Sequence, residues 1–343
     1  MVEKEAQGLP WAARLGAKLW LEAKLRQDRP KTGGRPRVPR IWPTDRIKIG
    51  AVQWNAEPVK RARDWSERVA AVFRQAAHAH CHLLVFPEYL PLSLLGAIMP
   101  DSAAVNTLTN PTIRSLLRIM SPSLFRHWRG WMAALSREFS LVTIAGSGLT
   151  LYHGQLINVA LGFGADGRLN LWQPKWHPLP VETQWGIVKG PETRPAIVKP
   201  WGLSALVCND ATYFESFRMV ESMGARLVAV PIADADARYT PGKARRGCFS
   251  RVQDVPMVGI VAASTGRLFG LRLTGKAGIY VPSELTPDGS GIVAESCHAV
   301  GEELITGVVS LSQLTRFQEE HRIRFPVPAP SFVESLYQFE EEP

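Results

Sequence analysis

Ala205-Leu206-Val207-Cys208-Asn209-Asp210-Ala211-Thr212-Tyr213-Phe214-Glu215 decides how the chain is read. An apolar, β-favouring run stops at a cysteine and polar residues follow at once, as when a buried strand delivers a side chain to a sheet edge and turns away. Working outward, two other runs close in the same manner. Leu83-Leu84-Val85-Phe86-Pro87-Glu88-Tyr89 ends in a glutamate, and Leu169-Asn170-Leu171-Trp172-Gln173-Pro174-Lys175 ends in a lysine. A carboxylate, an ammonium and a thiol at three strand ends are the raw material of nucleophilic catalysis by cysteine.

The remaining elements are those of a mixed α/β domain. Ile47–Trp54 alternates and predicts a strand, and 59–82 predicts an amphipathic helix with Val59, Ala62, Val69, Val72, Phe73 and Ala76 on its apolar side. Helical patterning covers 111–139, with a break expected near Ser121-Pro122. Strands are expected at 141–146 and 156–162, then a turn at Asp166-Gly167 into the lysine strand. A hairpin of 197–201 and 203–207, turning at Gly202, leads to Cys208. Beyond it come helix 214–223 with Gly224 as its stop, strand 227–230, helix 243–255 and strands 258–263, 277–281 and 291–295. Strands alternating with helices and interrupted by hairpins indicate mixed sheets rather than strictly parallel ones.

Composition narrows the class. The 343 residues are 45% hydrophobic and 21% charged, as in a globular protein with a sizeable core, and no run of 18 apolar residues offers a membrane span. The four cysteines (Cys81, Cys208, Cys248, Cys297) have no Cys-x-x-Cys spacing, which argues against a zinc site or disulfide framework. With an N-terminus lacking the order of a secretory signal, the expected location is cytoplasmic. The charge of +9 is uneven: residues 1–46 hold 11 Lys/Arg against 5 Asp/Glu, a net +6. Residues 1–45 thus read as a basic extension, a helix over 9–27 followed by a Pro/Gly/Arg linker. It is suited to nucleic acid, anionic lipid, an acidic protein partner or its own body. The body spans 46–310 and a charged tail 311–343.

Phe86-Pro87-Glu88, Lys175-Trp176-His177 and Cys208-Asn209-Asp210 resemble the three signatures of the nitrilase (carbon–nitrogen hydrolase) superfamily, in the same order and at similar intervals of 87 and 33 residues. Asp210, Tyr213 and Glu215 fit the pattern that follows the cysteine. Phe214 stands where proline is usual, Arg251-Val-Gln-Asp254 where Arg-Ala-x-Glu is usual, and Ser264-Thr265-Gly266 replaces an Asn-containing turn. These departures fall where the pocket wall is expected and bear on the substrate more than on the chemistry.

The resemblance implies a four-layer α-β-β-α sandwich with two mixed β-sheets, assembled as a homo-oligomer. It implies Cys208 as nucleophile, Glu88 as base, Lys175 with the backbone N–H of Asn209 as oxyanion donors, and Glu182 as a second glutamate. Tyr89, His177 and Tyr213 are expected to contact substrate, with no cofactor or metal. The implied reaction cleaves the C–N bond of a small amide, carbamoyl compound or nitrile through a thioester. A reading of another class is a binding or scaffold subunit docking through residues 1–45, on nucleic acid or protein.

Overall fold

Strand β1 (Arg46–Asn55) shows how the chain builds its layers. Side chains alternate across a strand, and both faces of β1 are covered: Ile47, Ile49 and Ala51 enter one buried cluster, Val52 and Trp54 another. β2 (Leu83–Val85) does the same, with Leu83 and Val85 on the first side and Leu84 with the adjoining Phe86 on the second. Strands buried on both faces have continuous apolar runs, which is why these were legible.

The computed structural model describes residues 22–23, 43–99, 101–236, 238–324 and 331. The helix expected over 9–27 lies outside them apart from Glu22 and Ala23, which are helical, and so do most of the linker and the end of the tail. Glu22 accepts hydrogen bonds from Ser123 Oγ (3.2 Å) and Arg126 (2.6 Å), so this part of the extension touches its own body.

One sheet contains β1, β2, β3 (Val142–Tyr152), β4 (Gln155–Phe163), β5 (Leu169–Pro174) and, antiparallel to β1, β12 (Glu303–Ser310). The other contains β6 (Leu203–Ala205), β7 (Leu227–Ile232), β8 (Val258–Leu268), β10 (Gly278–Tyr280) and β11 (Ile292–Glu295), with β9 (Leu271–Leu273) on the end of β8. Pairing of Gln53–Asn55 with Ala263–Thr265 joins the two at a corner. Between the sheets lies one core, where Ile47, Ile49, Leu83 and Val85 meet Ala205, Ala229, Ile260 and Ile279. Helices α1 (Ala62–His78) and α2 (Asn110–Phe139) cover the first sheet, and Trp65, Val69, Phe73 and Ala76 of α1 point inward at helical spacing. On the second sheet, α3 (Phe214–Ser222) contributes Phe217 and Val220 to a third cluster with Val228, Val230 and Val261. The layers therefore run α-β-β-α.

Strand direction explains the site. β1, β2 and β3 are parallel, and two antiparallel steps return β5 to the same direction. β6, β7 and β8 are parallel to one another, and β8 is parallel to β1. The strands preceding Glu88, Lys175 and Cys208 thus all run the same way, and their C-terminal ends open on one edge of the sandwich.

The structure differs from expectation in several places. Helix α2 runs unbroken through Pro122, because Leu117, Met120, Leu124 and Trp128 hold it against the core on both sides of the proline. The 197–207 hairpin reduces to one bridge, Val198 with Leu203. Residues 241–254 form two short helices around a π-turn at 245–249 in which Gly247 is non-helical. The tail starts with a helix, Leu311–Arg324, whose Leu311 and Leu314 join the inter-sheet core.

Gly146 sits at an irregularity of β3 with φ +78°, and a Cβ there would lie 2.0 Å from the Pro87 carbonyl oxygen. Gly146→Ala is expected to cost about 1–3 kcal/mol or more and to displace the peptide preceding Glu88. Urea unfolding measures this; a variant as stable as the parent contradicts the close approach.

Candidate active site

The Lys175 ammonium lies between two carboxylates. Its Nζ donates to Glu88 Oε1 at 2.8 Å and to Glu182 Oε2 at 2.7 Å, and all three side chains are at most 2% exposed. Glu182 reaches this point from a single-turn helix, Pro180–Gln184, where it also accepts the Leu179 backbone N–H at 2.6 Å. Tyr89, with φ of 60°, turns its hydroxyl to donate to Glu182. Asn158, on β4, donates from Nδ2 to Glu88 Oε1 at 2.8 Å, and the Ser264 hydroxyl donates to the Glu88 backbone carbonyl at 2.9 Å.

Cys208 approaches from the other sheet. It has φ of 49° and begins a tight turn, Cys208–Thr212. That left-handed conformation is uncommon for a residue with a side chain. It is fixed by Asp210, which is fully buried and accepts from the backbone N–H groups of Val207 (3.3 Å), Trp176 (3.2 Å) and His177 (2.8 Å). One carboxylate thereby ties the cysteine turn to the lysine loop. The Cys208 thiol and the Glu88 carboxylate are neighbours, each acting on the other's proton affinity, and the Ala233 backbone N–H favours the thiolate.

Burial sets the proton affinities. It pushes Glu88 up to about 7, against the opposing pull of Lys175. Burial works against the Lys175 charge too, but Glu88, Cys208 and Glu182 outweigh it and hold the ammonium above its ordinary range. Burial, and then Glu88, raise the Cys208 thiol well above the usual value despite Lys175. The Tyr89 phenol is raised by burial and by the two glutamates, so it stays a donor.

A cavity of about 30 Å³ opens above this cluster. Glu88, Tyr89, Lys175 and Glu182 form its polar floor, and the rest of its lining is apolar. Cys208 is not among the lining side chains and meets the floor through Glu88 and Ala233. His177 and Tyr213, expected to contact substrate, stack on each other outside the cavity at 3.9 Å between ring centres, with His177 Nδ1 paired to Asp210 at 2.9 Å. Their aromatic character serves that stack and the Asp210 anchor. The backbone N–H of Asn209 leads the turn after Cys208, and its side-chain amide donates to the His177 carbonyl at 3.1 Å.

Of the departures from the resembled pattern, Ser264 supports Glu88 from behind, whereas Phe214 and Arg251 pack on each other's periphery; none lines the cavity. Sequence reading missed Asn158 and Ser147, whose hydroxyl accepts the Tyr89 N–H at 3.4 Å, and placed Ser264 only in the pocket wall rather than under the Glu88 carbonyl. The available signal was a fully buried polar residue inside an apolar strand, as in Ile157-Asn158-Val159. Among the described residues no group of His, Cys, Asp and Glu is arranged to hold a metal ion, and no helix is long and apolar enough to cross a membrane.

Solved structures align over most of the chain. An amidase from Nesterenkonia sp. matches with a TM-score of 0.59 at 20% identity, over 83% of this chain and 98% of its own. A form of the Nesterenkonia sp. AN1 amidase with Glu→Gln and Cys→Ala substitutions, in complex with acrylamide, matches with 0.61 at 18% identity, over 84% and 98%. Its Cys→Ser form, described as from the nitrilase superfamily, matches with 0.58 at 18%, over 81% and 97%. The fold is nitrilase-like. No protein-family model matches the chain, and no curated protein sequence does. Within this nitrilase-like fold the residues converging on the cavity floor are the chain's own evidence of function.

Removing Lys175 leaves two buried carboxylates without a countercharge. Lys175→Met is expected to cost about 3–5 kcal/mol. Glu88, already raised by burial, then binds its proton still more tightly in the folded state, so protonation relieves part of the deficit as pH falls. Urea unfolding of parent and variant is expected to show a larger gap at pH 8 than at pH 5; an equal gap contradicts the electrostatic account.

Proposed function

We propose that the protein is a carbon–nitrogen hydrolase that cleaves a small amide through a Cys208 thioester. The observation carrying this reading is that the Glu88 carboxylate is held by the Lys175 ammonium on one side and neighbours the Cys208 thiol on the other. The amide class is favoured by the fold neighbours, whose structures hold acrylamide or butyramide. A nitrile or carbamoyl compound would use the same groups.

The thiol stays protonated at neutral pH, so attack and deprotonation have to be coupled. Glu88 takes the proton from Sγ as sulfur bonds to the carbonyl carbon, and its value near 7 suits it to accept and return that proton. The carbonyl oxygen becomes an oxyanion, stabilised by Lys175 and the Asn209 N–H. Glu88 returns the proton to the departing nitrogen, the C–N bond breaks, and ammonia leaves a thioester on Cys208. Water then gives a proton to Glu88 and attacks the thioester, releasing the acid as Glu88 protonates the sulfur. Glu182 and Tyr89 hold the Lys175 ammonium in place. Asn158 occupies Glu88 Oε1 and orients the carboxylate toward the thiol.

Cys208→Ala is expected to abolish ammonia release from a panel of primary amides; release that persists in this variant contradicts the nucleophile assignment. The base must be anionic in the free enzyme, so kcat/KM should fall as pH drops through about 7. A pH profile whose acid limb lies near the ordinary glutamate value of 4.5 overturns the role given to burial.

A further inference from the structure

The chain that follows β7 borders the cluster around Glu88 and is held there from behind. Ala233 and Ala235 line the small cavity beside Glu88, Lys175 and Glu182. Both side chains are single methyl groups, so what this segment presents to the site is its backbone, and the Ala233 N–H favours the Cys208 thiolate. Asp234 and Asp236 alternate with the alanines and lie outside that lining, and both carboxylates pair with the Lys243 ammonium. Lys243 belongs to a single-turn helix, Pro241–Ala244, capped by Thr240, whose Oγ1 accepts the Lys243 N–H at 3.3 Å. Thr274, buried just past β9, grips the same segment from another side. Its backbone N–H donates to the Asp234 carbonyl at 3.1 Å and its hydroxyl to the Asp236 carbonyl at 2.7 Å.

Two carboxylates two residues apart repel each other, and an ammonium between them replaces that repulsion with a tie. The side chains of Lys243 and Asp234 are 19% and 30% exposed, so water screens this pair less than an ordinary surface pair. Asp236 is 63% exposed and adds less. Asp234 directly follows Ala233, so the stronger arm of the tie acts on the residue next to the one that borders Cys208. In the proposed reaction the sulfur gathers negative charge as it attacks and again as it leaves the thioester. A backbone donor displaced from the sulfur therefore slows both steps, and catalysis is steeply sensitive to such displacement.

We propose that Lys243 is a positioning residue of the site: through Asp234 and Asp236 it fixes residues 233–236 and with them the backbone N–H that Ala233 presents to Cys208. This rests on the hydrolase reading and adds to it a residue outside the cavity.

The test measures steady-state ammonia release at pH 8 from the best substrate in a panel of primary amides. The proteins compared are the parent, Cys208→Ala, Lys243→Met and Asp234→Asn/Asp236→Asn, the last with and without Lys243→Met. Lys243→Met is expected to lower kcat by about 10-fold or more while KM changes by less than about threefold. In the Asp234→Asn/Asp236→Asn background, Lys243→Met is expected to change kcat by less than about twofold, because its partners are gone. A Lys243→Met kcat within about twofold of the parent, a loss expressed in KM instead, or an undiminished effect in the doubly substituted background overturns the inference and leaves the hydrolase reading standing. If the parent releases no ammonia above the Cys208→Ala background, the hydrolase reading fails and the inference falls with it.

Discussion

The site depends on a single buried cation. Lys175 brings an ammonium into a place with almost no water, where an isolated charge is prohibitively costly, and two carboxylates from different parts of the chain compensate it there. The reverse holds as well: without the ammonium, Glu88 and Glu182 repel each other across a low-dielectric gap. The remaining polar groups arrange themselves around this three-charge unit. Asn158 and Tyr89 each satisfy one carboxylate oxygen, and Ser264 fixes the backbone carbonyl of Glu88. Asp210 binds the lysine loop to the cysteine turn, which ties the backbone that carries the thiol to the backbone that carries the ammonium.

On the proposed mechanism, that constraint is what lets a thiol with a raised proton affinity act as a nucleophile. Burial disfavours a free thiolate, and the nearby Glu88 disfavours it further. The same burial lifts Glu88 to about 7, so the base and the reaction share a pH range. In the proposed reaction the proton moves only as the sulfur–carbon bond forms, which would guard the cysteine against indiscriminate reaction. Cys248, buried among apolar side chains and raised by burial, has no such base beside it among the described residues.

Much of the frame was legible because strands buried on both faces are written as apolar runs, and a polar residue that ends such a run stands out. Glu88, Lys175 and Cys208 were found on that ground, and the parallel directions of β2, β5 and β6 bring them to one edge. What escaped has physical causes. The 3-10 segment Leu90–Ile98 is apolar on every side and has no periodicity to read. Pro122 breaks isolated helices, yet here packing of α2 against the first sheet outweighs it. His177 and Tyr213 carry the residue types of a binding pocket, and here they stack on each other outside the lining of the small cavity, with His177 tied to Asp210. Asn158 and Ser264 matter only through partners 70 and 176 residues away, and such long-range hydrogen bonds leave little local trace.

The central claim is that Cys208 carries the acyl group between loss of ammonia and entry of water. Rapid quenching of the protein with butyramide into acid, followed by peptide mass spectrometry, tests it most directly. The account predicts a butyryl adduct on the peptide containing Cys208, formed as fast as ammonia appears and lost as acid accumulates. Ammonia release with no adduct there, or with the adduct on another cysteine such as the exposed Cys297, contradicts it.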